Sequence, residues 1–241
     1  MSDERWWSET ESPKAWMSVR DADLYEALLH RLATRRTGGP LCVVEWGVGR
    51  STLWYTGFLE TIGCSYRWLA LEHDRIYFER EIGLELRRRP NATVVHSEDV
   101  VLELGRRVLR SDGVLAVVFD CGELFPFRAG REHDRDAILD DYVEFPARLG
   151  FECDLVVIDG RKRRRCTLEA ARILREGGYV ILHDAWRRHY QCAWQAFRSG
   201  RRFGDKWWIG SLAETDFRDV LPWHAFERHE KAAMDLEVPS S

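Results

Sequence analysis

The stretch Val43-Val44-Glu45-Trp46-Gly47-Val48-Gly49-Arg50-Ser51-Thr52 decides the fold. It reads as a short buried strand, a tight glycine turn and the start of a helix. That grammar makes a nucleotide-sized pocket at the end of a parallel sheet. Glycine turns are common, so the reading depends on what lies on either side.

Upstream, residues 1–17 are polar with Trp6, Trp7 and Trp16 interspersed. They read as an arm or lid that lays aromatics over a pocket. Ser18 to Asp21 resembles a capping box, and Leu24, Leu28, Leu29 and Leu32 recur at helical spacing. Gly38-Gly39-Pro40 stops that helix. The apolar run 41–44 then predicts a strand buried on both faces. Ser51 or Thr52 is expected to cap a helix reaching about 61.

Downstream, 66–71 predicts a second strand closing on Glu72, 76–89 an amphipathic helix, and 93–96 a third strand followed by Ser97-Glu98-Asp99. A helix is expected over 100–109. Residues 111–133 break the rhythm. Val114 to Phe119 reads as a strand that Asp120-Cys121-Gly122 turns back into 124–128, an inserted hairpin or cap carrying Glu123, His133 and Asp134 near a substrate. The rhythm resumes with a helix over 136–149, a strand over 153–158 ending in Asp159, and a helix over 167–175 stopped by Gly177-Gly178. A strand over 179–182 ends in His183-Asp184, followed by a helix over 186–198 and a late strand over 206–210.

Strands alternating with helices predict an α/β, doubly wound, mostly parallel sheet. The expected organisation is an N-terminal arm and helix (1–40), a core (41–213) with its insertion at about 111–133, and a C-terminal extension (214–241). Ligands of such sheets bind outside the carboxyl ends of the strands. Glu45, Glu72, Glu98, Asp159, His183 and Asp184 all fall there.

Composition narrows the function classes. The chain has 241 residues, 45% hydrophobic and 32% charged, enough for a core and a hydrated surface. Its net charge of −4 disfavours nucleic acid as a partner. No apolar run approaches the roughly 20 residues that span a bilayer, and the first residues do not read as a signal peptide. Six scattered cysteines without a C-x-x-C pair read as reduced, mostly buried thiols of a cytoplasmic protein. Eleven tryptophans serve either core packing or an aromatic-lined cavity.

Two cofactor classes compete for the glycine turn. A dinucleotide fingerprint wants a third glycine, and Thr52 stands there instead. A carboxylate at Glu45 would repel a pyrophosphate, which needs bare N–H groups and the positive end of a helix. It suits a ligand with an ammonium and a sulfonium, such as S-adenosylmethionine. Glu72 lies close to the spacing at which an acid receives a ribose diol. Ser97 and Glu98 could hold an adenine edge.

Glu45-x-Gly47-x-Gly49, Glu72 and Leu174-Arg175-Glu176-Gly177-Gly178-Tyr179-Val180-Ile181-Leu182 resemble the motifs of class I S-adenosylmethionine-dependent methyltransferases. The resemblance covers about residues 41–190. It implies a seven-stranded, Rossmann-like sheet with one late antiparallel strand. It also implies a methionine end bordered by Glu45 and the turn Gly47, Gly49 and Ser51, a ribose held by Glu72, and adenine near Ser97 and Glu98.

At the reacting end stand Asp159, His183 and Asp184. Methyl transfer is largely positioning, with a base where the nucleophile is a hydroxyl. A histidine titrates near neutrality, so His183 is the candidate base, oriented by Asp159 or Asp184. Its rival role is a strand-end histidine bonded to backbone. The catechol-type O-methyltransferases hold magnesium near these positions, and Asp159 and Asp184 match two of them. Ala185 cannot ligate and His183 suits magnesium poorly, so a divalent metal is not favoured. The His-Asp pair followed by Arg187 or Arg188 is also similar, loosely, to a group of sugar-acid O-methyltransferases.

The run Arg161-Lys162-Arg163-Arg164-Arg165 opposes a helix dipole if it opens a helix. It reads either as a solvated, internally paired face or as an anion site, with Arg161 the nearest contact to substrate. The expectation is O-methylation of a small polar metabolite, sugar or natural-product intermediate, the substrate anionic in one version, with a homodimer as the candidate assembly. The alternatives are an N-methyltransferase, a nicotinamide-dependent oxidoreductase, and a non-catalytic methyltransferase-like protein binding RNA through the arginine run.

Overall fold

The computed structural model describes residues 14–99, 102–121, 137–227 and 229 of the chain. Eight strands make one sheet: β1 Leu41–Trp46, β2 Tyr66–Glu72, β3 Ala92–His96, β4 Gly113–Val118, β5 Cys153–Ile158, β6 Leu174–Leu182, β7 Ser199–Phe203 and β8 Trp207–Ser211. Their order is β3-β4-β2-β1-β5-β6-β8-β7. Pairing is parallel from β3 across to β6, and antiparallel for β6 with β8 and β8 with β7.

Every residue of β1 is buried. A strand flanked on both sides and covered on both faces has no polar face to offer, which is why its apolar run is continuous. After β1 the chain fills one flank with β2, β3 and β4, then crosses to β5 on the other flank of β1. The crevice between the carboxyl ends of β1 and β5 is therefore the topological switch point, where doubly wound sheets bind ligands.

Alternate residues of each strand feed two apolar layers. Val43, Trp68, Ala70, Val157, Ile181, Trp207 and Ile209 pack against helix α1 (Val19–Arg35) and helix α2 (Arg50–Thr61). Val44, Trp46, Leu71, Ile158, Leu182 and Trp208 face the opposite layer, with the helices Asp140–Leu149 and Arg163–Ile173. The segment after β8 joins the first layer through Phe217, Val220, Leu221 and Phe226. Among the described residues no helix is long and apolar enough to cross a membrane.

Several elements differ from expectation, each for a local reason. Val114 to Val118 is not half of a hairpin: β4 inserts between β2 and β3 and makes the sheet eight-stranded. All six residues of β4 are buried, and an unbroken apolar run belongs in the middle of a parallel sheet. The rest of the expected hairpin, with Glu123, His133 and Asp134, lies outside the described residues, as do Trp6 and Trp7.

The helix expected over 167–175 starts at Arg163 and stops at Ile173. The strand then begins at Leu174 and carries Gly177-Gly178 inside it. Pairing jumps from Cys153 with Leu174 to Leu155 with Tyr179, and Gly177, at φ +76°, absorbs the irregularity. The expected helix over 186–198 is a 3-10 turn, Arg188–Ala196, followed by β7. Gly200 lets β7 lie on Trp208, since a Cβ there would come 2.5 Å from the indole. Arg201 and Arg202 on β7 give this sheet edge the charge that discourages further pairing.

The cysteines are free: Cys42, Cys153 and Cys166 are buried, Cys64 and Cys121 half-buried, and Cys192 exposed. Trp46, Trp68, Trp207 and Trp208 fill the core, while Trp16, Trp54, Trp186 and Trp223 are exposed.

Candidate functional site

The glycine turn is built by contacts between β1 and β5. Asp159 N and Gly160 N both donate to Trp46 O, at 2.9 and 2.6 Å. Gly47 takes φ +106°, and a Cβ there would lie 2.6 Å from Gly160 N, so only glycine fits. Gly49 caps α2 in an extended conformation and its N–H donates to Thr52 Oγ1 at 3.1 Å. The cap is thus the glycine; Ser51 and Thr52 sit inside the first turn instead.

Both hydroxyls reach back to Glu45. Ser51 Oγ donates to Oε1 at 2.8 Å, Thr52 Oγ1 to Oε2 at 2.7 Å and Trp68 Nε1 to Oε2 at 2.9 Å. Glu45 is fully buried beneath the turn. Burial pushes its carboxyl up to about 7, the three donors and then Asp159 modifying that rise. Its described contacts lock the turn to β2 from below.

Above the turn, the Arg50 guanidinium lies 5.8 Å from the centre of the Trp16 ring, and Trp16 meets Tyr77 edge-on at 6.1 Å. A Cβ on Gly49 would stand 3.5 Å from the Tyr77 hydroxyl. Trp16 is the one tryptophan of the N-terminal arm among the described residues, and it sits over this loop.

Glu72 ends β2 and is buried. Its Oε1 accepts from His73 N at 2.8 Å and Asp74 N at 2.9 Å. Among the described residues no hydrogen bond falls on Oε2. The strand beside β2 is β4, tied to it where Phe119 N donates to Glu72 O at 2.7 Å. Asp120 and Cys121 therefore border Glu72, and burial, Asp120 and Glu72 together push the Cys121 thiol up to about 11. Ser97 and Glu98 follow β3, one strand further out, with Glu98 exposed. Arg75 spans the gap, pairing with Glu98 at 3.5 Å and Asp120 at 3.6 Å. Asp120 escaped the sequence reading because the insertion of β4 is a nonlocal pairing.

Asp159 and His183 do meet. His183 is 5% exposed, and its Nδ1 lies 3.0 Å from Asp159 Oδ1. Among the described residues its buried Nε2 has no hydrogen-bond partner. Burial would raise the Asp159 carboxyl, but His183 and then Arg163 outweigh it and hold Asp159 below its ordinary value. Asp184 leaves this pair: at φ +57° it turns to Arg187 Nη2 at 3.0 Å and Arg163 Nη1 at 3.4 Å.

Arg163 is the hub that sequence reading passed over. Nε, Nη1 and Nη2 donate to the carbonyls of Gly160, His183 and Asp159 at 3.0, 2.8 and 2.7 Å. Nη2 also lies 2.9 Å from Asp159 Oδ1. The arginine run thus divides its work: Arg163 ties the ends of β5 and β6 together, and Arg165 pairs outward with Asp140 at 2.5 Å. Arg161, singled out as a substrate contact, stands in the turn between Gly160 and the helix. With a guanidinium between them, Asp159 and Asp184 are poorly placed to share a cation. Among the described residues no group of three His, Cys, Asp or Glu side chains could hold a metal ion.

The sheet order, with its switch point between β1 and β5 and its antiparallel strands after β6, is that of a Rossmann-like methyltransferase fold. The solved structures bear this out. A methyltransferase-like protein from Silicibacter pomeroyi has a TM-score of 0.53 at 17% identity, covering 85% of this chain and 95% of that one. The CMeT domain of the citrinin polyketide synthase has a TM-score of 0.50 at 14% identity, covering 81% of this chain and 53% of that one. At these identities the likeness is one of fold. No protein-family model and no curated protein matches the chain.

Proposed function

We propose that this chain is an S-adenosylmethionine-dependent methyltransferase that transfers the methyl group to an oxygen of a small polar acceptor. The observation that carries the reading is the Asp159–His183 pair, held beside the switch-point turn with the outer ring nitrogen of His183 unpartnered. Methyl transfer to a hydroxyl needs a positioned acceptor and a route for its proton, and little else from the protein.

The residues around the crevice fit such a cofactor. Glu72 has a carboxylate oxygen to offer a ribose diol. Asp120, rather than Ser97-Glu98, stands next along the sheet for the adenine side. Gly47, Gly49 and Ser51 border the methionine end, and Glu45 acts through Ser51 and Thr52, by fixing the turn, rather than by touching the ligand. When bound, the cofactor supplies an electrophilic methyl on a sulfonium. His183 Nε2 takes the acceptor proton. Asp159 accepts from Nδ1, keeps the free electron pair on Nε2 and stabilises the imidazolium that forms. Arg163 keeps Asp159 in place from the far side.

Isothermal titration of the protein with S-adenosylmethionine tests this reading. Micromolar binding is expected, weakened about tenfold or more in Glu72→Gln, the loss for one hydrogen bond to a charged group. No heat at high micromolar ligand would sink the proposal.

A further inference from the structure

Three buried polar atoms without partners stand around one tryptophan. Strand register puts two of their side chains together. Leu182 pairs with Trp208, so the next step along the antiparallel β6–β8 ladder sets His183 beside Trp207. Their rings lie 4.7 Å apart, on the sheet face that carries α1. The third comes from α1: Tyr25 packs edge-on against Trp207 at 5.7 Å. Tyr25, Trp207 and His183 are 0%, 0% and 5% exposed. Among the described residues the Tyr25 hydroxyl, Trp207 Nε1 and His183 Nε2 all lack a hydrogen-bond partner.

Leaving such atoms unpaired forfeits their hydration with no bond in exchange, so a cluster of three calls for an explanation. Crowding does not supply one, because the neighbouring tyrosine is satisfied. Tyr55, 4.0 Å from Tyr25 ring to ring, donates its hydroxyl to Ala22 O at 3.0 Å. The arrangement is also pinned in place. Asp21, one turn before Tyr25 on the same helix face, accepts from Asp205 N at 2.6 Å and Lys206 N at 3.1 Å. Gly204 makes room for that carboxylate, since a Cβ there would lie 2.2 Å from Asp21 Oδ1. Asp21 therefore clamps the β7–β8 turn to α1 and holds Tyr25 over Trp207.

We propose that Tyr25, Trp207 and His183 form the acceptor subsite, and that it receives an uncharged hydroxyl of a small molecule. This rests on the methyltransferase reading and names the substrate class for it. A hydroxyl oxygen can accept from the indole N–H and from the phenol O–H and give its own proton to His183 Nε2, a role matched to each of the three atoms. Burial, then Glu45, Tyr55 and Asp159, hold the Tyr25 phenol well above its ordinary pKa, so it stays a donor. A carboxylate or phosphate at this point would stand near Asp159 and Asp21 and has no hydroxyl proton to give His183 Nε2, so it is disfavoured although Arg163 and Lys206 also act on Asp159. Any negative charge on the acceptor belongs further from the reacting atom.

The test uses phenol as the hydroxyl probe and benzoate as its anionic counterpart, with the ¹⁵N-labelled full chain, with and without S-adenosylhomocysteine. Phenol is expected to shift the Trp207 indole N–H resonance, benzoate to do so at least tenfold more weakly, and Tyr25→Phe to weaken phenol about three- to tenfold. Tyr25→Phe should unfold at the same urea concentration as the parent, or a higher one, and bind the cofactor unchanged, because its hydroxyl has no partner among the described residues. Three results would each overturn the subsite: no indole shift, a preference for benzoate, or a destabilised Tyr25→Phe, which would mark the hydroxyl as a partner of structural water. A phenol response in a chain that binds no S-adenosylmethionine would instead retain the subsite and remove the methyltransferase reading.

Discussion

His183 Nδ1 lies 3.0 Å from Asp159 Oδ1, across the register of two adjacent parallel strands, and Arg163 Nη2 approaches the same oxygen at 2.9 Å. A half-buried carboxylate between an imidazole and a guanidinium stays ionised and fixes the ring. If the ring is the base, His183→Ala should lower kcat about 10²- to 10⁴-fold while leaving the Kd for S-adenosylmethionine within about twofold. Asp159→Asn should lower kcat with the fold intact, because an amide supports the imidazolium less well. Turnover measured beside calorimetric binding checks both. A silent His183→Ala would point to a nucleophile that needs no base, such as an uncharged nitrogen.

Arg163 and Arg165 are two positions apart in one helix, and their replacement should differ sharply. Arg163 is 14% exposed and satisfies two carboxylates and three carbonyls. Removing one partner of a fully buried ion pair costs about 3–5 kcal/mol, an upper bound here because Asp159 is 29% and Asp184 15% exposed. Arg165 pairs with Asp140 at 40% and 50% exposure, where such pairs are worth about 1 kcal/mol or less. Urea unfolding of Arg163→Ala and Arg165→Ala should show the first far below the parent and the second close to it. Equal losses would remove Arg163 from its place as the tie between β5 and β6.

What the chain discloses in one dimension, and what it withholds, follows from which contacts are local. Glu45, Gly47, Glu72, Asp159 and His183 were readable because each lies at the end of a continuous apolar run. Such a run fixes both the strand and the side of the sheet to which its last residue points. Asp120 was not, because its closeness to Glu72 depends on β4 entering between β2 and β3, a pairing across more than 40 residues. β7 was hidden because Ser199–Phe203 carries its charge at a sheet edge, where helix and strand patterns look alike. Arg163 was hidden among identical neighbours. The start of its helix decides which arginine of the run turns inward, and sequence spacing left that start four residues late.

Gly47 should tolerate no side chain. At φ +106° an alanine is strained by about 1–3 kcal/mol before any contact is counted. Its Cβ would also press on the backbone of Gly160 and Asp159, which cannot swing away as a flexible side chain would. Gly49→Ala meets the Tyr77 hydroxyl at 3.5 Å and Ser51 Oγ at 3.8 Å, both ordinary contacts, in an extended conformation open to alanine. Thermal melts of the two variants should differ, Gly47→Ala falling well below the parent and Gly49→Ala staying near it. If both melt alike, the contact between β1 and β5 is not what fixes the turn.

Glu45 makes stability depend on pH in the opposite sense to an ordinary paired carboxylate. Its folded-state pKa of about 7 exceeds the 4.5 of an exposed glutamate, with burial the largest cause. Between these values the folded chain binds more protons than the unfolded one, so the contribution of Glu45 to stability falls as pH rises. The loss begins near the unfolded value and levels off above pH 7, and its size is on the order of 3 kcal/mol. Asp159, held below its ordinary value, works the other way: its contribution is present at neutral pH and is lost as the solution turns acid. Glu45→Gln isolates the first effect. The amide oxygen can still accept from Trp68 and Thr52, and the amide nitrogen can donate to Ser51, so the turn keeps its shape. Urea unfolding at pH 5 and pH 8 should find Glu45→Gln close to the parent at the lower pH and clearly more stable at the higher. A parent whose advantage grows towards pH 8 would mean that Glu45 is ionised in the folded chain and that its three donors outweigh its burial.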